Sequence, residues 1–128
     1  SWDNIDTQAE LLNGQPVISP LAWPLTYQYP VQKISADFMP DSPSEQATYL
    51  LIYRDQNDEI HFMELNPVSA LLIQLINEDN NLTTKEMLEN IAGQLNHPDP
   101  EVVIQGGYQI IQDLKNRNVI LGINKSGN

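Results

Sequence analysis

Residues 59–76 read EIHFMELNPVSALLIQLI, and within two residues a strand pattern becomes a helix pattern. Up to Leu65 the run is half apolar and extended, with Ile60 and Phe62 on one side and His61, Met63 and Leu65 on the other. Asn66 suits an N-cap because its side-chain oxygen can accept a backbone N–H of the first turn. Pro67 suits the first helical position, where its missing N–H would have had no partner. From there Val68, Leu71, Leu72, Leu75 and Ile76 recur at helical spacing. A strand therefore ends and a helix begins at this step, and the other segments can be placed around it.

Upstream, residues 48–54 (TYLLIYR) are rich in aromatic and β-branched side chains, and the polar Asp55-Gln56-Asn57-Asp58 separates them from the strand at 59–65. That predicts a hairpin. Tyr49, Leu51 and Tyr53 share one face, Leu50 and Ile52 the other. With both faces apolar, the expected sheet has helices on one side and the N-terminal extended segment, or a partner, on the other. Residues 14–35 (GQPVISPLAWPLTYQYPVQKIS) carry Pro16, Pro20, Pro24 and Pro30, which exclude a continuous helix. Within them residues 25–34 read as an edge strand, with Pro30 on its unpaired side or at a bulge. Residues 39–44 are a loop by composition. Residues 1–13 scatter Trp2, Ile5, Leu11 and Leu12 among acids and amides, and read as a linker or the tail of a missing N-terminal domain. An opening Ser1 in place of Met agrees with that expectation.

Downstream, Thr83-Thr84-Lys85-Glu86 is a capping-box pattern for a second helix to about Leu95, with Met87, Leu88, Ile91, Ala92 and Leu95 as its apolar stripe. Asp99-Pro100 opens a third helix to about Asn116. Its apolar positions form two rows, Val103, Gly107, Ile110 and Leu114 beside Ile104, Tyr108 and Ile111. Gly106-Gly107 falls inside the helix pattern and suits close helix packing, with no phosphate-loop motif around it. Asn118 is expected to end the helix in a left-handed conformation, residues 119–123 to form a short strand, and residues 124–128 to fray. The expected fold is α+β: a small antiparallel sheet, made of the hairpin plus an extended N-terminal strand, followed by three helices in a winged-helix-like domain over residues 14–123.

Seventeen acidic side chains against six basic ones give a net charge of −11, which repels nucleic-acid phosphates. In the third helix, where a winged helix would read DNA, the cations Lys115 and Arg117 cluster at the C-terminal end, offset by Glu101 and Asp113. With 41% apolar residues the chain is globular rather than disordered, and it has no apolar run near the roughly 18 residues of a membrane span. Zero Cys removes thiolate chemistry and fits a reducing compartment, so cytoplasmic placement is expected. His61 and His97 lack any adjacent ligand motif, and no nucleophile–base pattern is present. The residues thus lead to no enzyme, metal or cofactor reading.

The series TYQYPVQKIS, TYLLIYRDQNDEIHFMELNPVSALLIQLI and HPDPEVVIQGGYQIIQDLKNRNVILG resembles the C-terminal domain of HvfC-type proteins, a family whose N-terminal helical region was long labelled DNA-binding. More loosely, residues 49–121 are similar to PqqD-like recognition domains, through the step Leu65-Asn66-Pro67-Val68-Ser69-Ala70 from sheet to helices. The resemblance implies an adaptor without catalytic residues that brings a ribosomal precursor peptide to a modifying, iron-dependent oxidative enzyme in peptide natural-product maturation. In such domains the leader peptide adds as a strand beside the sheet and rests against the third helix. Carried onto this sequence, that implies a groove lined by His61 and Met63 on the strand and by Ile104, Tyr108 and Ile111 on the helix, the alternative for these three being plain core. Two alternatives stand beside it: a winged-helix transcriptional regulator whose DNA contacts lie in a missing N-terminal domain, and a structural domain that dimerises through its sheet edge.

Overall fold

The Asn66 side chain accepts the Ser69 N–H at 2.8 Å, with Asn66 itself extended, and this cap starts helix α1 (Pro67–Asn77) as the residues dictate. The computed structural model describes residues 2–30, 45–78 and 80–125. Helix α2 (Thr84–Gln94) opens on a complete capping box: Thr83 Oγ1 accepts the Glu86 N–H at 3.1 Å, and the Glu86 carboxylate accepts the Thr83 N–H at 2.9 Å. Helix α3 (Pro100–Asn116) begins at Asp99, whose carboxylate accepts the Glu101 N–H at 3.1 Å. Beyond it Asn118 takes a positive φ of 63°, the left-handed residue expected there.

The class is α+β, as expected, but the single sheet divides into two. Among the described residues the larger sheet runs β3 (Ala22–Pro30), β4 (Glu45–Arg54), β5 (Ile60–Leu65), all antiparallel, with the predicted hairpin between β4 and β5. As expected, β3 is an edge strand; its predicted continuation to residue 34 and the loop at 39–44 lie outside the described residues. The smaller sheet places β6 (Ile120–Asn124) between β1 (Ile5–Asp6) and β2 (Pro16–Ile18), again antiparallel. Residues 5–13 are accordingly built into the domain. Ile5 pairs with Asn124, Leu11 is buried, and the carbonyls of Gly14 and Leu12 accept the first N–H groups of α2, from Thr84 at 3.0 Å and Lys85 at 2.9 Å. Asn124, expected to fray, closes β6 and donates its N–H to the Gln15 carbonyl at 2.8 Å.

The core lies between the helices and one face of the larger sheet. Leu51 of β4, Leu72 and Ile73 of α1, Leu88 and Ile91 of α2, and Ile111 and Leu114 of α3 are wholly buried there. At the α2–α3 crossing only a glycine fits at 107, because a Cβ there would lie 2.2 Å from Leu88 Cδ2. Gly106, one residue earlier, faces open space.

Among the described residues nothing lies over the other face of the larger sheet, so of the two covers expected there the N-terminal segment 14–30 is not the one. The reason is topological: residues 16–18 pair with β6 in the smaller sheet and residues 22–30 join the edge of the larger one as β3, so neither lies across its face. Trp23, Ile52 and Phe62 form a cross-strand row on this face, with Trp23 50% and Phe62 69% exposed. Leu25, Leu50 and Glu64 form the next row.

Candidate functional site

Strand β5 follows directly from its alternation. Ile60, Phe62 and Glu64 are exposed on the outer face, while His61 and Met63 are half-buried and Leu65 is buried on the inner one. It pairs with β4 on one side, and among the described residues nothing pairs with its other side. A row of backbone N–H and C=O groups is thereby left without ladder partners.

The turn before β5 is fixed by Asp55. One carboxylate oxygen accepts the N–H groups of Asn57 (2.8 Å) and Glu59 (2.9 Å), and the other lies 2.7 Å from His61 Nε2. The hydrogen bond from His61, joined by those backbone donors, holds the Asp55 pKa below its ordinary value. Asp58 adopts the positive φ of 65° that so short a turn requires. The His61 ring stacks on Tyr53 with centroids 5.1 Å apart, and Tyr53 Oη accepts from Arg117 Nη1 at 3.1 Å. Arg117 Nε in turn donates to Asp113 at 2.8 Å, so the hairpin is tied to the C-terminal end of α3.

Two hollows open on α3, and His61 of β5 lines the first of them. The first, about 230 Å³, lies among Tyr53, Asp55, His61, Asn116 and Arg117. The second, about 500 Å³ and mostly apolar, is lined by Asn66, Val68, Leu95, Val102, Ile110 and Asp113. A separate apolar hollow of about 550 Å³ lies between β3–β4 and α1, against Pro24, Tyr49, Leu65, Ala70 and Leu71.

These positions revise the helix side of the expected groove. Ile104 (4% exposed) and Ile111 (0%) are core and have no surface to offer a guest. Tyr108 is half-buried on a different side of α3, with Gln112 and Lys115 against residues 7–11. Of the five residues expected to line a groove, His61 and Met63 lie on β5, while Val102, Gly106, Ile110 and Asp113 are among the α3 residues that line the second hollow, which has no β5 residue in its wall. A signal existed: with Ile104, Ile111 and Leu114 assigned to the core stripe, Val102 and Ile110 are apolar positions outside its centre.

Donor atoms of Asp55, Glu59 and His61 come within 4.8 Å of one another, a grouping that the lack of a local motif had not suggested. Both Asp55 oxygens are already engaged, one with two backbone N–H groups and one with His61, so the trio is accounted for as the fastening of the turn.

A strand edge unpaired among the described residues, with a hollow between its first residues and the end of α3, belongs to a small α+β module. The family model for the HvfC C-terminal domain matches residues 19–115, and the chain belongs to that family. The match takes in β3, β4, β5, α1, α2 and nearly all of α3, and stops short of β1, β2 and β6. No match is found among curated proteins or among solved structures.

Proposed function

We propose that the domain is an adaptor without an active site of its own, which binds a ribosomal precursor peptide and delivers it to an iron-dependent oxidative enzyme in peptide natural-product maturation. The observation that carries this reading is the edge of β5, unpaired among the described residues, with the hollow at His61 reaching the C-terminal end of α3. A strand added there gains main-chain hydrogen bonds, and every second side chain enters the space between sheet and helix. Family membership supports the link to peptide maturation, and a net charge of −11 argues against direct contact with nucleic acid.

The test is amide exchange on the protein with and without the precursor peptide encoded beside its gene, repeated with the partner enzyme present. Binding should slow exchange in residues 60–64. Protection confined to another face, or no binding with the enzyme present or absent, would overturn the proposal.

A further inference from the structure

The chemistry of β5 specifies what kind of segment would fit beside it. This rests on the peptide-binding reading above and goes on to name the class of peptide. We infer that the guest strand is basic and alternately apolar. Its outward side chains beside Ile60 and Phe62 are apolar, its outward side chain beside Glu64 is Lys or Arg, and its inward side chain beside Met63 is apolar.

Cross-strand neighbours on one face of a sheet choose each other by chemistry: apolar pairs and opposite charges are favoured, like charges disfavoured. Ile60 is 55% and Phe62 69% exposed at the open edge, and a guest strand would place its own side chains directly against them. Trp23 and Ile52 already continue the Phe62 row inward across the sheet, so an apolar guest residue would lengthen an existing apolar row. Glu64 is exposed and has no ion-pair partner among the described residues. Arg54 lies on the same face opposite Ile60, but it donates to the Asp58 carbonyl at 3.1 Å and stands one strand in from the edge. On the inner face Met63 is half-buried and packs against the core, so the guest side chain beside it meets an apolar neighbour.

The charge of the whole molecule points the same way. An acidic body with net charge −11 attracts a cationic segment and repels an acidic one. It also opposes edge-to-edge pairing of two copies, each bringing the same charge. A second copy is therefore the disfavoured occupant of this edge.

For an antiparallel guest the order from its N-terminus is basic, inward apolar, outward apolar, polar, outward apolar. The probe is a blocked ten-residue peptide containing Lys-Leu-Val-Thr-Val with a terminal fluorophore, its controls a Glu-for-Lys peptide and a scrambled peptide of identical composition. Anisotropy titration of the 128-residue chain should show the lysine peptide binding more tightly than the glutamate peptide by roughly three- to tenfold at low salt. Glu64→Lys should reverse that order, and Phe62→Lys should weaken both. Because both positions are exposed, circular dichroism should show the fold intact in each variant.

Equal affinity for lysine and glutamate peptides, or an order unchanged in Glu64→Lys, overturns the inference. So does equal binding of the scrambled peptide, which would leave only nonspecific charge attraction. If the precursor peptide protects residues 60–64 while none of the designed peptides binds, the inference fails and the adaptor reading survives. If the precursor peptide also fails to bind, both fall. Light scattering separates the remaining occupant: a dimer that is lost in Phe62→Lys would put a second copy on this edge and overturn the inference.

Discussion

Asp55 holds the β4–β5 turn from three directions, through the N–H groups of Asn57 and Glu59 and through His61. An aspartate whose folded-state pKa is lowered stabilises the fold above its unfolded pKa, and that contribution is lost as pH falls through the folded value. The turn should therefore keep its amide chemical shifts through mild acid. The Asn57 and Glu59 shifts should titrate with a midpoint below the ordinary value of 3.8, and Asp55→Asn should abolish that step. A midpoint at or above 3.8 would contradict the arrangement. The two adjacent glycines of α3 make the complementary case. A Cβ at 107 would strike the buried Leu88, so Gly107→Ala should cost about 1–3 kcal/mol. At 106 there is open space, and Gly106→Ala should stabilise by roughly 0.5–1 kcal/mol through helix propensity alone. Thermal unfolding of the pair should give shifts of opposite sign.

At the scale of elements, most of the order was legible because it is written locally. A cap residue states a helix start within four positions, and Asn66, Thr83 and Asp99 each do so. Asn66→Ala should lower stability by about 1 kcal/mol, a fall of a few degrees in melting temperature, while leaving the β4–β5 pairing intact by amide exchange. The hairpin was legible from its polar turn between two alternating runs. By contrast, β1 and β2 are two and three residues long, too short for any period to register, and only their distant partner makes them strands. The same limit explains the groove. Periodicity shows that α3 carries a wide apolar stripe, but which part of it turns inward depends on where α2 crosses, at Gly107 against Leu88. Ile104 and Ile111 went to the core for that reason, and Ile110 to the rim of the hollow.

For the molecule as a whole, the two sheets divide the work. The larger one presents an apolar outer face and an edge unpaired among the described residues in an otherwise acidic chain. Among the described residues no helix is long and apolar enough to cross a membrane. The smaller sheet imposes a sequence in time. Its central strand, β6, follows α3, yet among the described residues β1 and β2, some hundred positions earlier, pair with nothing else. The carbonyls of Leu12 and Gly14 likewise wait for the first turn of α2. Contacts between neighbouring segments form sooner than those that close a long loop, so the β4–β5 hairpin and the three helices can assemble while residues 5–18 remain unplaced. During synthesis residues 5–18 would then settle later than the hairpin and helices that follow them, held only when Ile120–Asn124 emerges to join them.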